Sequence, residues 1–318
     1  MRICCFAHLE TLRLYVSLQS GLIALVGTAL TLGHLPNVTR SVLVFAVPTI
    51  GYWAALYGSE YLDRNKDSLA KPSRPIPSGR MTDMEAFMVM LVCIAVGFVG
   101  SSYLGFVPTL ISGLSLAAGA AYALSKSHGF LAPMARSLGV GLNLLFGMVA
   151  GSQFLSPGRQ VFFISFVFVI FLLHGFTTSV VGQIWDVSGD RIANLATASV
   201  TAGIKVTRRI SLGTIAVWQL AALVMPLWVH LHTLPYLVLA GIGMVFTIRA
   251  VTQLQVETGA LAALRYLMMQ RYWFSGAFLA GVLGWTAAVV VVPIFLIAYM
   301  AQHSMHFVKI YSMAPISR

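Results

Sequence analysis

The sequence predicts an all-α polytopic membrane protein with about nine transmembrane helices around a central cavity. Three observations carry this reading. Of 318 residues, 58% are hydrophobic and only 9% charged, with a mean hydropathy of +0.85, which leaves too little polar surface for a water-soluble fold. The apolar residues fall in runs close to the ~20 residues needed to cross ~30 Å of hydrocarbon. Five of the nine acidic residues sit in two short clusters, each closing one of those runs.

Turns and charges bound the runs at about 14–33, 41–62, 84–104, 107–124, 137–154, 161–184, 210–229, 234–251 and 273–300. The connection between the third and fourth is very short, with Pro108 beside it. No linker or low-complexity segment interrupts residues 1–318, so a single membrane domain is expected. The acidic clusters end the second and sixth spans. That spacing suggests a duplicated unit, with halves at about 14–124 and 137–251 facing each other across the cavity and a last span at 273–300. The N-terminal MRICCFAHLETLR has no short apolar core followed by a cleavage site, so no removable signal peptide is expected. Cys4, Cys5 and Cys93 lack metal-ligand spacing and read as free thiols.

With the N-terminus in the cytoplasm, sixteen of the twenty Lys and Arg residues fall on the inner side, and Arg40, Arg159, Lys309 and Arg318 remain outside. This positive-inside asymmetry accounts for the net charge of +11. A nucleic-acid partner is excluded because the cations are dispersed over short loops and form no stripe. Both acidic clusters then face the cytoplasm.

The first cluster carries Glu60, Asp63 and Asp67 at i, i+3 and i+7, one face of a helix if the second span continues through them. The KPSRPIPSGR stretch that follows packs three prolines, a glycine and three cations into ten residues, which demands an ordered or strongly bent polar loop. The second cluster, GQIWDVSGDR, carries Asp186 and Asp190 at i, i+4 and leads to Lys205, Arg208 and Arg209. Carboxylates this close at a membrane boundary are costly without a cation. Their hard oxygens suit Mg²⁺, which in turn recruits phosphate oxygens. An acidic, solvated helix end is the bland alternative for either cluster alone, and the presence of both favours a diphosphate clamp.

The arrangement resembles the UbiA-type intramembrane prenyltransferase family over most of the chain. That family's NDxxDxxxD motif and KPxRPxxSG loop are matched by Ser59, Glu60, Asp63 and Asp67, then by a complete KPSRPIPSG from Lys71 to Gly79. Its DxxDxxGD motif is matched by Gln183, Asp186, Gly189 and Asp190, with Thr197 and Gly203 downstream. Between the two, Tyr122 and Lys126 fit YxxxK, and Asn143 follows. The chain departs at Ser59, Glu60 and Gln183, where the family has asparagine, aspartate and aspartate, and Ala196 stands where a basic residue often precedes the threonine.

The resemblance implies Mg²⁺ held by Glu60, Asp63, Asp67, Asp186 and Asp190, and an isoprenyl diphosphate whose tail runs into an apolar cavity open to lipid. Lys71, Arg74 and Lys126, with Tyr122, are the expected catalytic groups, since a departing diphosphate needs preorganised positive charge; Arg64, Arg80 and Arg191 are alternates. Ser59, Asn143, His174, Gln183, Arg191 and Tyr61 are the expected substrate contacts. His174 is an ionisable group deep in the sixth span, where a neutral, hydrogen-bonded ring is the commoner state. Among the aromatics near the motifs (Tyr52, Trp53, Tyr57, Tyr61, Trp185), Tyr57 and Tyr61 are expected at the cavity wall. Tyr266, Met268, Met269, Tyr272, Trp273 and Phe274 are expected to form an interfacial belt. The expected reaction transfers the prenyl group to a lipophilic acceptor, aromatic or otherwise, and the alternative is acceptor-free terpene cyclisation. An ion transporter fits poorly, because carboxylates at a cytoplasmic rim make no midplane site.

Overall fold

The computed structural model describes residues 2–151, 159–227 and 231–304. Lys309, Arg318 and the side chains of Arg2, Cys4, Cys5 and Arg159 lie outside the described part, and Cys93 is a free thiol within it. Described residues form twelve α-helices: α1 (Arg2–Leu12), α2 (Leu14–Leu32), α3 (Val38–Ala70), α4 (Asp83–Leu104), α5 (Phe106–Leu124), α6 (Leu131–Gly151), α7 (Arg159–Ile192), α8 (Ala198–Thr201), α9 (Ile204–Val224), α10 (Thr233–Gln255), α11 (Ala260–Leu283) and α12 (Ala287–Ser304). Eight stretches of these are long and apolar enough to cross a membrane, the last running from Ala260 to His303. The protein is an all-helical, multi-pass integral membrane protein.

The helix count differs from the expectation in two places. The seventh expected span, 210–229, is α9, which begins earlier and carries Lys205, Arg208 and Arg209 in its first two turns, so it falls short of the apolar content of the others. The expected last span, 273–300, is two helices. The chain breaks at Gly284 and folds back, so that Phe295 meets Trp273 at a ring distance of 4.8 Å and Val291 lies against Gly276. The aromatic stretch expected as an interfacial belt is consequently interior: Met269, Tyr272 and Phe274 are buried on α11.

Each boundary near the site has a local cause. Asn37 caps α3, its side chain accepting from the Arg40 N–H at 2.9 Å. The helix then runs 33 residues, past Pro48 and through the first acidic cluster, and ends at Ala70 because Pro72 disfavours helical backbone at Lys71, whose φ and ψ are -145° and 62°. Thr82 and Glu85 form a reciprocal capping box that starts α4. Gly105 alone joins α4 to α5, with φ at 133°, a conformation open to a residue without Cβ.

Packing places α2 at the centre, against α3, α6, α11 and α12. Its contact with α6 depends on small residues: a Cβ added at Gly147 would lie 1.8 Å from the Ala24 carbonyl oxygen, and one at Gly27 2.1 Å from that of Leu144. Thr28 Oγ1 donates to the Gly147 carbonyl at 2.6 Å across the same contact. Around the buried face of α11, Phe171, His174, Trp218, Phe274 and Phe278 form a continuous aromatic cluster. By contrast α4 and α5 leave most of their apolar surface uncovered, as lipid-facing helices do.

Candidate active site

The two acidic clusters end the two longest helices, α3 and α7, and both line one cavity of about 330 Å³. Its polar end gathers Ser59, Asp63 and Asp67 from α3, Asp186 and Asp190 from α7, Lys71 and Arg74 from the proline-rich loop, and Lys126 from the turn after α5. Its apolar end passes between α4 and α5 along Cys93, Ile94, Phe98 and Leu116.

Every carboxylate at the polar end has a fixed partner. Lys126 Nζ donates to Asp63 Oδ2 and, at 3.1 Å, to Ser59 Oγ, while the Ser59 hydroxyl donates to the same Asp63 oxygen at 3.1 Å. Arg74 donates to Asp67 Oδ2 at 2.6 Å and lies 3.6 Å from Glu60 Oε1. Lys71 joins the two clusters by pairing with Asp186 at 2.8 Å. On α7, Asp190 accepts from Thr197 Oγ1 at 3.0 Å, and Gln183 Oε1 accepts from the Ala198 N–H at 3.2 Å. The turns carrying these groups touch, with the Gly129 N–H donating to the Ala196 carbonyl at 2.9 Å.

The proline-rich loop is ordered from beneath by α1. Arg80 donates to Glu10 Oε2 at 2.5 Å and to the Ser73 carbonyl at 2.5 Å. Arg13, between α1 and α2, donates to Glu60 Oε1 at 3.2 Å. Glu60 is 2% exposed and stands behind the cavity wall, with Oε2 lacking any hydrogen-bond partner among the described residues.

The donor set fits a hard divalent ion. Four carboxylates from two helices face one cavity, and a buried carboxylate oxygen of Glu60 behind them is unsatisfied. Among the described residues no three acidic, His or Cys groups lie close enough to form a ready-made cage. Lysines and arginines hold the places between them, so a metal would enter together with an anion that draws those cations away.

Other expected residues stand elsewhere. Tyr61 packs against Phe87 at a ring distance of 5.2 Å, with the Arg64 guanidinium 4.4 Å above it, and neither lines the cavity. Tyr57 is buried, its hydroxyl 2.7 Å from His8 Nδ1. Arg191 also lies outside the cavity lining, whereas Tyr52, Trp185 and Asn143 belong to it. His174 is one layer behind: Arg271 Nε donates to its Nδ1 at 3.0 Å, and its Nε2 lies 2.6 Å from Gln270 Oε1. Sequence reasoning missed Arg13, Arg136 and Arg271, which all reach the cavity. For Arg136 and Arg271 the available signal was a cation inside an otherwise apolar helix, hidden because each apolar run begins just past the charge, whereas Arg13 stands in the break between α1 and α2.

The family model described as UbiA prenyltransferase family matches residues 20–273. Among curated proteins the chain is similar to the digeranylgeranylglyceryl phosphate synthase of Korarchaeum cryptofilum, 31% identical over 169 residues; the match covers 53% of this chain and 58% of that relative, so the chain spans less than two thirds of its length. Among solved structures it is similar to a UbiA homologue from Aeropyrum pernix K1, with a TM-score of 0.71 at 17% identity over 82% of this chain and 96% of the other. A UbiA homologue from Archaeoglobus fulgidus, bound to GPP and Mg²⁺, is similar with a TM-score of 0.67 at 15% identity over 87% of this chain and 99% of the other.

Proposed function

The chain belongs to the UbiA prenyltransferase family, and from that premise we propose that it ionises an isoprenyl diphosphate and transfers the prenyl group to a lipophilic acceptor. The single observation that carries this reading is the convergence of two carboxylate clusters and three interleaved cations at one end of a cavity whose other end is apolar. Asp63, Asp67, Asp186 and Asp190, which face the cavity, would hold Mg²⁺, with the expected fifth ligand Glu60 standing behind them. When bound, the metal supplies Lewis-acid neutralisation of diphosphate oxygens.

The chain's own groups perform the rest. Lys71, Arg74 and Lys126 donate to the diphosphate as the allylic C–O bond breaks and its electron pair moves to the leaving oxygen. Ser59 holds Lys126 and Asp63 in register, through bonds of 3.1 Å on either side. The prenyl tail lies between α4 and α5, where apolar walls keep water from the allylic cation. The acceptor's nucleophile then attacks the cation, forming the new bond and releasing its proton.

Polar side chains around the reacting end, Asn143 and Gln183 with Tyr52 and Arg136, favour an acceptor over cyclisation, which needs an apolar, aromatic enclosure. The cation asymmetry of the sequence supports placing this end of the cavity at the cytoplasmic face. The test is to incubate the purified protein with Mg²⁺ and prenyl diphosphates of several lengths, with and without phenolic or lipid-alcohol acceptors. Prenylated acceptor is the expected product. Full-rate conversion to a cyclic terpene without acceptor would overturn the transferase reading.

A further inference from the structure

We propose that Glu10 on α1 is a positioning residue for the proline-rich loop: it holds the Arg80 guanidinium, and Arg80 in turn holds the backbone that carries Lys71 and Arg74. The inference rests on the prenyl-transfer reading above. It adds α1, which precedes the stretch shared with the family, to the machinery of the site.

The loop cannot be fixed by its backbone alone. Pro72, Pro75 and Pro77 have no N–H, so three of the ten residues from Lys71 to Arg80 offer no donor to a turn. Arg80 supplies the missing donors. Its Nε donates to Ser78 Oγ at 2.9 Å and its NH2 to the Ser73 carbonyl at 2.5 Å, so one planar group clamps both limbs of the loop. Ser78 Oγ donates onward to the Arg74 carbonyl at 2.6 Å. Glu10 completes the arrangement, its two oxygens accepting from Arg80 NH1 at 2.5 Å and NH2 at 3.4 Å.

Helix α1 is itself anchored. Ala7 is buried in a small apolar core with Tyr57, Met81 and Ala86, and Leu12 and Ile76 pack against it. His8 ties α1 to two further helices, its Nε2 2.9 Å from Glu85 Oε1 on α4 and its Nδ1 2.7 Å from the Tyr57 hydroxyl on α3. A carboxylate only accepts, so Nε2 carries the proton. Arg13, at φ 42°, takes a left-handed backbone that turns the chain between α1 and α2. Its side chain reaches Glu60 Oε1 at 3.2 Å. These contacts keep Glu10 under the loop.

The position of Arg80 decides between two roles. A diphosphate cation has to face the cavity, and Lys71 and Arg74 line it whereas Arg80 does not. Lys71 pairs with Asp186 at 2.8 Å and Arg74 with Asp67 at 2.6 Å, so both exchange partners when a diphosphate enters. Their side chains move while the backbone beneath them stays in place. Charge held on a fixed backbone is preorganised for the leaving group, and Arg80 with Glu10 does the fixing.

The experiment compares Glu10→Ala, Arg80→Ala and the double variant in the full chain in detergent, with Mg²⁺ and geranylgeranyl diphosphate as the probe. Glu10→Ala should weaken the probe ~10-fold, the effect expected of a charged hydrogen bond between partly exposed groups, with an unfolding temperature close to that of the wild type. Glu10→Gln, which keeps an acceptor for Arg80, should recover part of the loss. Because Glu10 acts through Arg80, the double variant should bind no more weakly than Arg80→Ala alone. Without the probe, the amides of Ser78, Gly79 and Arg80, bonded to the Arg74, Ile76 and Pro75 carbonyls, should exchange hydrogen at least ~10-fold faster in Glu10→Ala. Those of Ala193 and Leu195, in the turn after α7, should not change. If Arg80→Ala does not fold, Arg80→Lys, which reaches Glu10 but loses the fork to Ser73 and Ser78, takes its place. The proposal is overturned if Glu10→Ala leaves the loop amides as protected as in the wild type, or if the Glu10 and Arg80 losses add. It is equally overturned if Glu10→Ala leaves the probe's affinity unchanged or tightens it, as release of Arg80 to the diphosphate would. A wild type that does not bind the probe strikes the transfer reading alone, and the exchange measurement then decides the role of Glu10.

Discussion

Lys71 and Asp186 meet at 2.8 Å across the two acidic clusters, and Lys126 with Ser59 closes over Asp63. At this scale the site is an array of opposite charges that already neutralise one another, so entering ligands exchange partners within it. Asp63→Ala and Asp186→Ala should each lower turnover by at least ~10³-fold while leaving membrane insertion intact, since loss of metal-held charge forfeits several kcal/mol in the transition state. A chelator should do the same to the wild type. Steady-state turnover with and without chelator checks both, and a chelator-treated rate near the Mg²⁺ rate would sink the assignment. The acidic residues and Lys71, Arg74 and Lys126 were legible in the sequence because local spacing and the proline-rich loop specify them. Arg136 and Arg271 were not: in a linear reading a cation ends a span, and only packing shows that α6 and α11 continue past it.

Among the elements, the contact between α2 and α6 is the most demanding. The backbones approach so closely at Gly27 and Gly147 that any side chain meets a carbonyl oxygen, and lipid-embedded helices rely on such close packing because lipid gives no hydrophobic drive for their association. Gly147→Leu should therefore destabilise the fold by at least ~3 kcal/mol. The expected readout is a lost monodisperse peak in detergent or a markedly lower Tm; a variant that behaves as wild type would show that α2 and α6 can separate without penalty. The sequence marked α2, α4, α5 and α10 to within about four residues, because uninterrupted apolar runs have few other structures open to them in lipid, whereas α3, α6, α7 and α9 run about six to eight residues beyond the apolar run at one end, through its flanking charges. It merged the turn at Gly284 into one span, since the residues on both sides are equally apolar and a reversal within such a run leaves no trace in hydropathy.

For the whole molecule, the cation asymmetry predicts that the loops after α3 and α7 share the cytoplasmic side. Cysteines at Ser78 and Lys205, both exposed, placed in a chain lacking Cys4, Cys5 and Cys93, should escape an impermeant thiol reagent in intact cells and react after lysis. Labelling of either from outside would reverse the assignment.

The sequence by itself determined that this chain lies in a membrane, which carboxylates and cations are the candidates for a metal and diphosphate site, and which family it resembles. Those features are local: apolar run length, the register of carboxylates on a helix, and a loop made rigid by proline. The tertiary structure alone decided that Glu60 and His174 stand behind the cavity wall, that Tyr57 and Tyr61 lie outside its lining, and that Arg136 and Arg271, from distant helices, line one cavity. Which way a helix face points, and what lies opposite, depends on how α2, α6, α7 and α11 cross. That crossing is set by small residues and buried aromatics whose partners are far away along the chain, 119 positions between Thr28 and Gly147 and 257 between Tyr15 and Tyr272.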